Sequence, residues 1–375
     1  MNTIKARTLY TGTEVLKNAF LNYDKGTIHS VTDRPAGDLL KTFPVVTPAF
    51  IDAHSHIGMI RMGEPSAEAE ANDRMDSIIA HADALDSVMM DDRGFIDSIE
   101  AGILYSCILP GSGNILSGTS AVVRNYGRDT TEALIARSGI KAAFGYNPMS
   151  AYSRDAKGTR PYTRMGALAI LRGRLTDVRN KLSKKEPEPL SAEDAVLAKV
   201  LAGKERLRVH VHKADDIASL LRLVDEFKLK ITVEHSSDVH DIHIYQELAK
   251  RDIPVVYGPL DTLAYKVELK HDNWRNIRYL IDSGVYYGLM TDHPVIMQNM
   301  LLFELRWFLR HGLSKQECLE IITRKNAVIL GINDRLGTLE KGKWASFVCW
   351  NADPFDLKAY PVLCVGEGKE IYSEK

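Results

Sequence analysis

Short apolar runs alternate with helical patterns through the middle of this chain, and that alternation restricts the fold more than any other feature. Ile103 to Leu109, Ile140 to Phe144, Leu207 to Val211, Ile231 to Val233, Val255 to Tyr257 and Val285 to Met290 have the length and composition of buried strands. Between two of these runs, Ile217, Leu220, Leu221, Val224 and Phe227 fall at helical spacing, with Asp215 or Asp216 as the expected N-cap. Gln298 to His311 and Lys315 to Arg324 read as further helices. Repeated β/α units over residues 48–336 predict an α/β protein with a (β/α)8 TIM-like barrel. No Gly-rich dinucleotide or phosphate-loop fingerprint favours an open sheet instead.

The two ends of the chain read differently. Residues 1–47 are short alternating stretches broken by Gly and Asp, such as Ala19 to Tyr23 before Asp24-Lys25-Gly26. Residues 337–375 repeat the pattern in Gly337-Thr338-Leu339 and Ala345 to Trp350. The expectation is a small β-sandwich domain formed by both termini, flanking the barrel of residues 48–336. Ser183 to Pro189 reads as a solvated linker before a helix.

Composition excludes several functions. The 375 residues are 45% hydrophobic with a formal net charge of −1, which allows a large core. No basic block argues for nucleic acid or a membrane surface. No apolar run reaches the roughly 18–20 residues of a membrane span. Met1 to Lys5 lacks the layout of a signal peptide, and the four cysteines lack CxxC spacing. A cytoplasmic protein with reduced, buried thiols is expected, and the pattern is compatible with a homo-oligomer.

Chemistry in such a barrel sits at the C-terminal ends of the strands. Pro48 to His56 reads as a buried strand ending in His54 and His56. Residues i and i+2 of a strand face the same side, so two imidazoles can hold one metal ion. Leu207 to His212 ends in a second His-x-His, His210 and His212. Ile231 to His235 ends in a histidine, and Leu289 to His293 ends in Asp292 and His293. A single polar residue at a strand end is more often a satisfied core group. Four strand ends supplying imidazole and carboxylate to one axis predict a metal centre.

The order His-x-His, His, His, Asp resembles the amidohydrolase superfamily of metal-dependent hydrolases. The likeness runs along nearly the whole chain and includes Leu336 to Val348, similar to the family's return into its small β-domain. Pro110 to Asn114, Thr163 to Gly166, His210 to Ile217 and Thr291 to Pro294 resemble the imidazolonepropionase-like branch. The resemblance implies that His54, His56, His210 and Asp292 ligate metal, with His212 on the same face as His210 as its alternative. It implies that His235 binds a second metal or orients substrate, and that Asp292 also shuttles a proton. Binuclear members carry a bridging carboxylated Lys or a Glu near the fourth strand. Phe144 to Met149 offers neither, and Lys141 reads as lying at the wrong end of its strand. One ion is therefore expected rather than two, with Zn first and Fe, Mn or Ni as alternatives.

The implied reaction is hydrolysis of a C–N bond in a cyclic amide or small amide by a metal-activated water. Asp292 takes the water's proton and passes it to the leaving nitrogen, with His235 beside it. Ser112 and Asn114, in a Gly-rich loop after the second strand, are candidate contacts to a small-molecule substrate, as is His212. Arg164 could clamp a substrate carboxylate or form a structural ion pair. His293, His240 and His243 read as structural or surface residues. Two alternatives stay within the superfamily. One is an Xaa-dipeptidase. The other is a deaminase, which Lys213 disfavours because deaminases place a Glu three residues after the fifth-strand His. A non-catalytic barrel serving as a binding or assembly module is the alternative of another class.

Overall fold

The computed structural model describes residues 1–149, 160–185 and 189–374. Two sheets organise the described chain. The first contains β1 (Asn2–Tyr10), β2 (Val15–Asp24), β3 (Thr27–Thr32), β4 (Asp38–Pro48), β13 (Phe347–Trp350), β14 (Pro361–Gly366) and β15 (Lys369–Ser373). Its strand order is β15-β14-β13-β4-β1-β2-β3, so both termini contribute, as the alternation at the two ends suggested. β13 pairs directly with β4 and stitches the ends together. Ile4, Leu9, Leu21, Phe43, Phe347 and Val365 form the core on this sheet.

The second sheet has eight strands in sequence order: β5 (Phe50–Ser55), β6 (Ile103–Ile108), β7 (Leu116–Arg124), β8 (Leu134–Ala143), β9 (Leu207–Val211), β10 (Ile231–His235), β11 (Val255–Tyr257) and β12 (Tyr287–Leu289). It curls into a nearly closed barrel. Asp292 N donates to His54 O at 3.1 Å and His56 N donates to His293 O at 3.0 Å, joining the first strand to the last. Asn326 Nδ2 donates to both Ile51 O and Leu289 O and bridges the same seam.

The barrel departs from eight parallel β/α units at one place. β7 runs antiparallel to both β6 and β8. The links at 109–115 and 125–133 are too short for a parallel crossover, which takes a dozen or more residues. β7 was absent from the sequence reading, and β8 begins six residues before the apolar run Ile140 to Phe144 that announced it. Helices cover the rest of the barrel. Ala214–Phe227 buries Ile217, Leu220, Leu221, Leu223, Val224 and Phe227, but its N-cap is Lys213 rather than Asp215 or Asp216. Those two aspartates lie in its first turn, where a carboxylate meets the positive end of the helix dipole. Of the linker Ser183 to Pro189, residues 186–188 lie outside the described residues.

The segment 258–276, after β11, is fastened at both ends to the helix Leu301–His311. At its start, Leu260 N donates to Glu304 Oε1 at 2.8 Å, and Trp307 Nε1 donates to Asp261 Oδ1 at 2.9 Å. At its end, Trp274 stacks on Trp307 with ring centroids 4.8 Å apart and 19° from parallel. The Arg310 guanidinium lies 4.5 Å from the Trp274 centroid and completes the stack. No helix of the described residues is long and apolar enough to cross a membrane.

Candidate metal centre

Five strand ends deliver side chains to one buried ring at the C-terminal mouth of the barrel. β5 brings His54 and, one step past its end, His56. β8 brings Lys141, β9 brings His210 with His212 just beyond, β10 brings His235, and Asp292 follows β12. The His210 and His235 ring centroids are 4.2 Å apart, those of His54 and His235 5.2 Å, and those of His54 and His56 5.4 Å. Asp292 Oδ1 lies 3.1 Å from His56 Nε2 and 3.6 Å from His54 Nε2. Simple alternation would not place all of these. Glu234 already faces the ring, so its neighbour His235 should face outward. His235 instead has φ 75°, Ser236 φ 57° and Asp292 φ 52°. These left-handed residues break the alternation and turn both side chains inward, a cost tolerated at functional positions.

Three of the imidazoles, His54, His56 and His235, are tied to an acceptor through Nδ1. His56 Nδ1 is 2.7 Å from Leu109 O and His235 Nδ1 is 3.1 Å from Gly258 O. A carbonyl only accepts, so both Nδ1 atoms carry hydrogen; the neutral His235 therefore presents its Nε2 lone pair to the ring, while His56 Nε2 faces the Asp292 carboxylate. His54 Nδ1 is 2.9 Å from Glu234 Oε2 and follows the same rule. Glu234 in turn accepts from Arg208 Nε at 2.9 Å and Nη2 at 3.0 Å. A carboxylate behind a histidine is the support a metal-bound imidazole requires. His235 Nε2, His210 Nδ1 and both nitrogens of His212 are buried with no hydrogen-bond partner among the described residues. Buried polar atoms are rarely left so, and four on one wall fit a bound cation. Two groups of three side chains have ligand atoms within 4.8 Å: His54, His235 and Asp292, and His210, His212 and His235.

The electrostatics agree. Burial pulls His54 and His212 down to about 3 and holds His210 and His235 well below 6.5, so all four imidazoles are neutral at neutral pH. Burial alone would raise the Asp292 carboxyl, but His235, His56 and His54 together hold it well below the usual carboxylate range. Lys141 is pulled down to about 8 by burial, against the opposing pull of Asp292 and Glu234.

Lys141 corrects the sequence reading. Its Nζ lies 3.0 Å from His54 Nε2, inside the ring. Because β8 starts at Leu134, Lys141 stands near its C-terminal end, and Phe144 to Met149 lies beyond the strand. Three further residues were missed. Glu234 lay inside a quoted run, but its role appears only with Arg208 and His54 beside it. Glu268 and Lys266 come from the 258–276 segment, which carries no periodic signal. Glu268 Oε1 lies 3.4 Å from His210 Nε2, 3.8 Å from His212 Nε2 and 2.9 Å from Lys266 Nζ. Tyr146 N donates to its other oxygen at 2.9 Å.

The expected substrate contacts divide. Ser112 lines a cleft of about 910 Å³ over the mouth, with Arg74, Tyr146, Lys266 and Lys270. Asn114 is buried, its side-chain oxygen accepting from Arg160. Arg164 Nε donates to Asp216 Oδ1 at 2.7 Å, the structural ion pair rather than the free clamp. His293 stays off the ring, with its Nδ1 accepting from Gln298 N at 3.2 Å.

A profile described as the amidohydrolase family matches residues 45–366, from the last strand before the barrel to β14. The chain belongs to the amidohydrolase family. Among curated proteins it is similar to amidohydrolase tasK of Hapsidospora irregularis, 25% identical over 350 residues. That match takes in 84% of this chain and 35% of the relative, so the chain spans about a third of the relative's length. Among solved structures, an amidohydrolase from Thermotoga maritima MSB8 superposes with a TM-score of 0.93 at 30% identity, covering 100% of both chains. A prolidase complexed with N-methylphosphonate-L-proline shares the fold, with a TM-score of 0.65 at 16% identity over 100% of both chains.

Proposed function

We propose that this amidohydrolase hydrolyses a C–N bond of a cyclic amide or small amide with a metal-activated water. The observation that carries the reading is the ring itself. The strand-end imidazoles, the Asp292 carboxylate and the Lys141 amine converge in one buried space, with His54, His56 and His235 braced through Nδ1. His54, His56 and Asp292 would hold one divalent ion, and His210 and His235 a second, with Lys141 between them. The single ion expected from sequence rested on finding no lysine at the centre, so two ions are the better reading. Zn is the first choice, since imidazole and carboxylate donors suit it. Bound there, the metal supplies an acidified water and polarises the scissile carbonyl.

The chain's own residues do the rest. Asp292, acceptor-only beside three imidazoles, takes a proton from the attacking water and delivers it to the leaving nitrogen. Lys141, whose amine burial pulls down to about 8, would add to CO2 by forming an N–C bond and losing one proton, and its carbamate would stand between the two sets of ligands. Glu234 keeps His54 in the ligating tautomer.

One observation favours a second reading on the substrate side. Among the described residues, the cleft lining includes Arg74, Lys266 and Lys270 and no carboxylate. That lining suits a substrate carboxylate, as on an N-acyl amino acid or an Xaa-dipeptide. A deaminase stays disfavoured, because Lys213 donates to Asp238 at 2.8 Å instead of supplying an acid to the ring. The four free cysteines are all buried, which suits the cytoplasmic setting we infer. The test is metal analysis of the purified protein, followed by a screen of cyclic amides, N-acyl amino acids and dipeptides with Asp292→Asn as control. Stoichiometric metal and a hydrolysed substrate support the proposal. Protein that takes up no metal would favour the binding module.

A further inference from the structure

A second cluster of imidazole and carboxylate stands apart from the ring. Asp238 and His240 lie on the loop after β10, and His271 lies in the 258–276 segment. Candidate ligand atoms of the three fall within 4.8 Å of one another. Asp238 is buried, whereas both histidines reach solvent.

The hydrogen bonds decide which nitrogens are open. His240 Nδ1 is 2.9 Å from the backbone carbonyl of Asp238, so Nδ1 carries the hydrogen and Nε2 the lone pair. His271 Nδ1 is 3.3 Å from Asp238 Oδ2, and His271 N donates to Asp238 Oδ1 at 2.5 Å. A carboxylate only accepts, which fixes His271 in the same tautomer. The two rings lie 4.3 Å apart at 40°. Lys213 Nζ, 2.8 Å from Asp238 Oδ2, anchors the carboxylate from the third side. Two imidazoles are thus braced through Nδ1 with Nε2 free, the arrangement that also marks the ring.

We propose that His240 and His271 take one divalent cation of the imidazole-preferring kind, Zn2+, Ni2+ or Cu2+, with Asp238 orienting them. The bound cation clips the 258–276 segment onto the end of the sixth barrel strand. That segment is already fastened at Asp261 and Trp274, and its middle carries Lys266 and Glu268 into the ring. The clip therefore makes this stretch of the mouth a metal-responsive cover, with a labile two-histidine site separate from the central one. The binding and the clip stand apart from the catalytic reading; the effect on turnover rests on it.

The test starts from protein already loaded with its central metal and freed of excess. Titration with Ni2+, followed by calorimetry without substrate, should show one further site. His240→Ala or His271→Ala should weaken it about tenfold or more, and the double variant should lose it. Limited proteolysis within 258–276 should slow on Ni2+ addition in the unaltered protein and stay constant in the double variant. Excess Ni2+ should slow turnover in the former and spare the latter. No further site in the unaltered protein, or one that survives in the double variant, overturns the proposal. Binding that leaves proteolysis unchanged overturns the clip, and inhibition that persists in the double variant overturns its effect on turnover.

Discussion

At the scale of single residues, Asp292 and Lys141 separate the chemistry from the scaffold. Asp292→Asn keeps the size and hydrogen-bonding shape of the side chain but loses the base. Turnover should fall by about 10²–10⁴ with the melting temperature of the metal-free protein nearly unchanged, checked by steady-state kinetics beside calorimetry. Lys141→Met should lower the bound metal, read by elemental analysis, because it removes the group between the two sets of histidines. The histidines at strand ends were legible because two physical rules select them: i and i+2 share a face, and barrel chemistry collects at the C-terminal ends. Lys141 was not legible, because its assignment depended on where β8 begins. Leu134 to Ser138 lacks the apolar run that would have announced the strand early. The inward turn of His235 and Asp292 was equally hidden, since φ 75° and φ 52° at non-glycine residues have no sequence signal.

At the scale of elements, two buried carboxylates hold neighbouring pieces together in opposite ways. Glu234 on β10 joins Arg208 on β9 to His54 on β5, and Arg208 also donates to Ala53 O at 2.8 Å. Glu234→Gln leaves a buried guanidinium without its counter-charge. Chemical denaturation should show a loss of about 3–5 kcal/mol. Glu304 ties the helix Leu301–His311 to Leu260 and has no cationic partner there among the described residues. Burial raises its carboxyl from 4.5 to about 8. The folded state therefore binds more protons than the unfolded state between these values. Its contribution is full below about 4.5 and is lost as pH rises through about 8. Glu304→Gln should flatten this fall when unfolding free energy is measured across the same range. The strands Leu207–Val211 and Val255–Tyr257 were readable as apolar runs bounded by polar residues. The antiparallel β7 was not, because Leu116 to Arg124 mixes Ser, Gly and Thr with its valines, and its direction follows only from the short links on either side.

At the scale of the molecule, the termini and the barrel depend on one another. β13 sits between β4 and β14, so the last strands complete a sheet begun by the first. Metal binding adds to this through mass action, since the ligands meet only in the folded chain. Chelation should lower the melting temperature, and metal added back at about 100 times its Kd should restore about 2.7 kcal/mol by calorimetry. Sharing between the ends was readable in the alternation at residues 1–47 and beyond 337. The arrival of Glu268 beside His210 was not, because a long irregular segment reaches it and only tertiary contacts decide its path.

The stacked pair Trp274 and Trp307 gives this segment a built-in optical label. Two of the chain's four tryptophans lie face to face, close enough for their excited states to couple, with a guanidinium against one of them. Circular dichroism should carry a coupled indole signal that vanishes when the segment lifts from its helix. Motion of the mouth can therefore be timed by stopped flow in unlabelled protein, before any substrate is known.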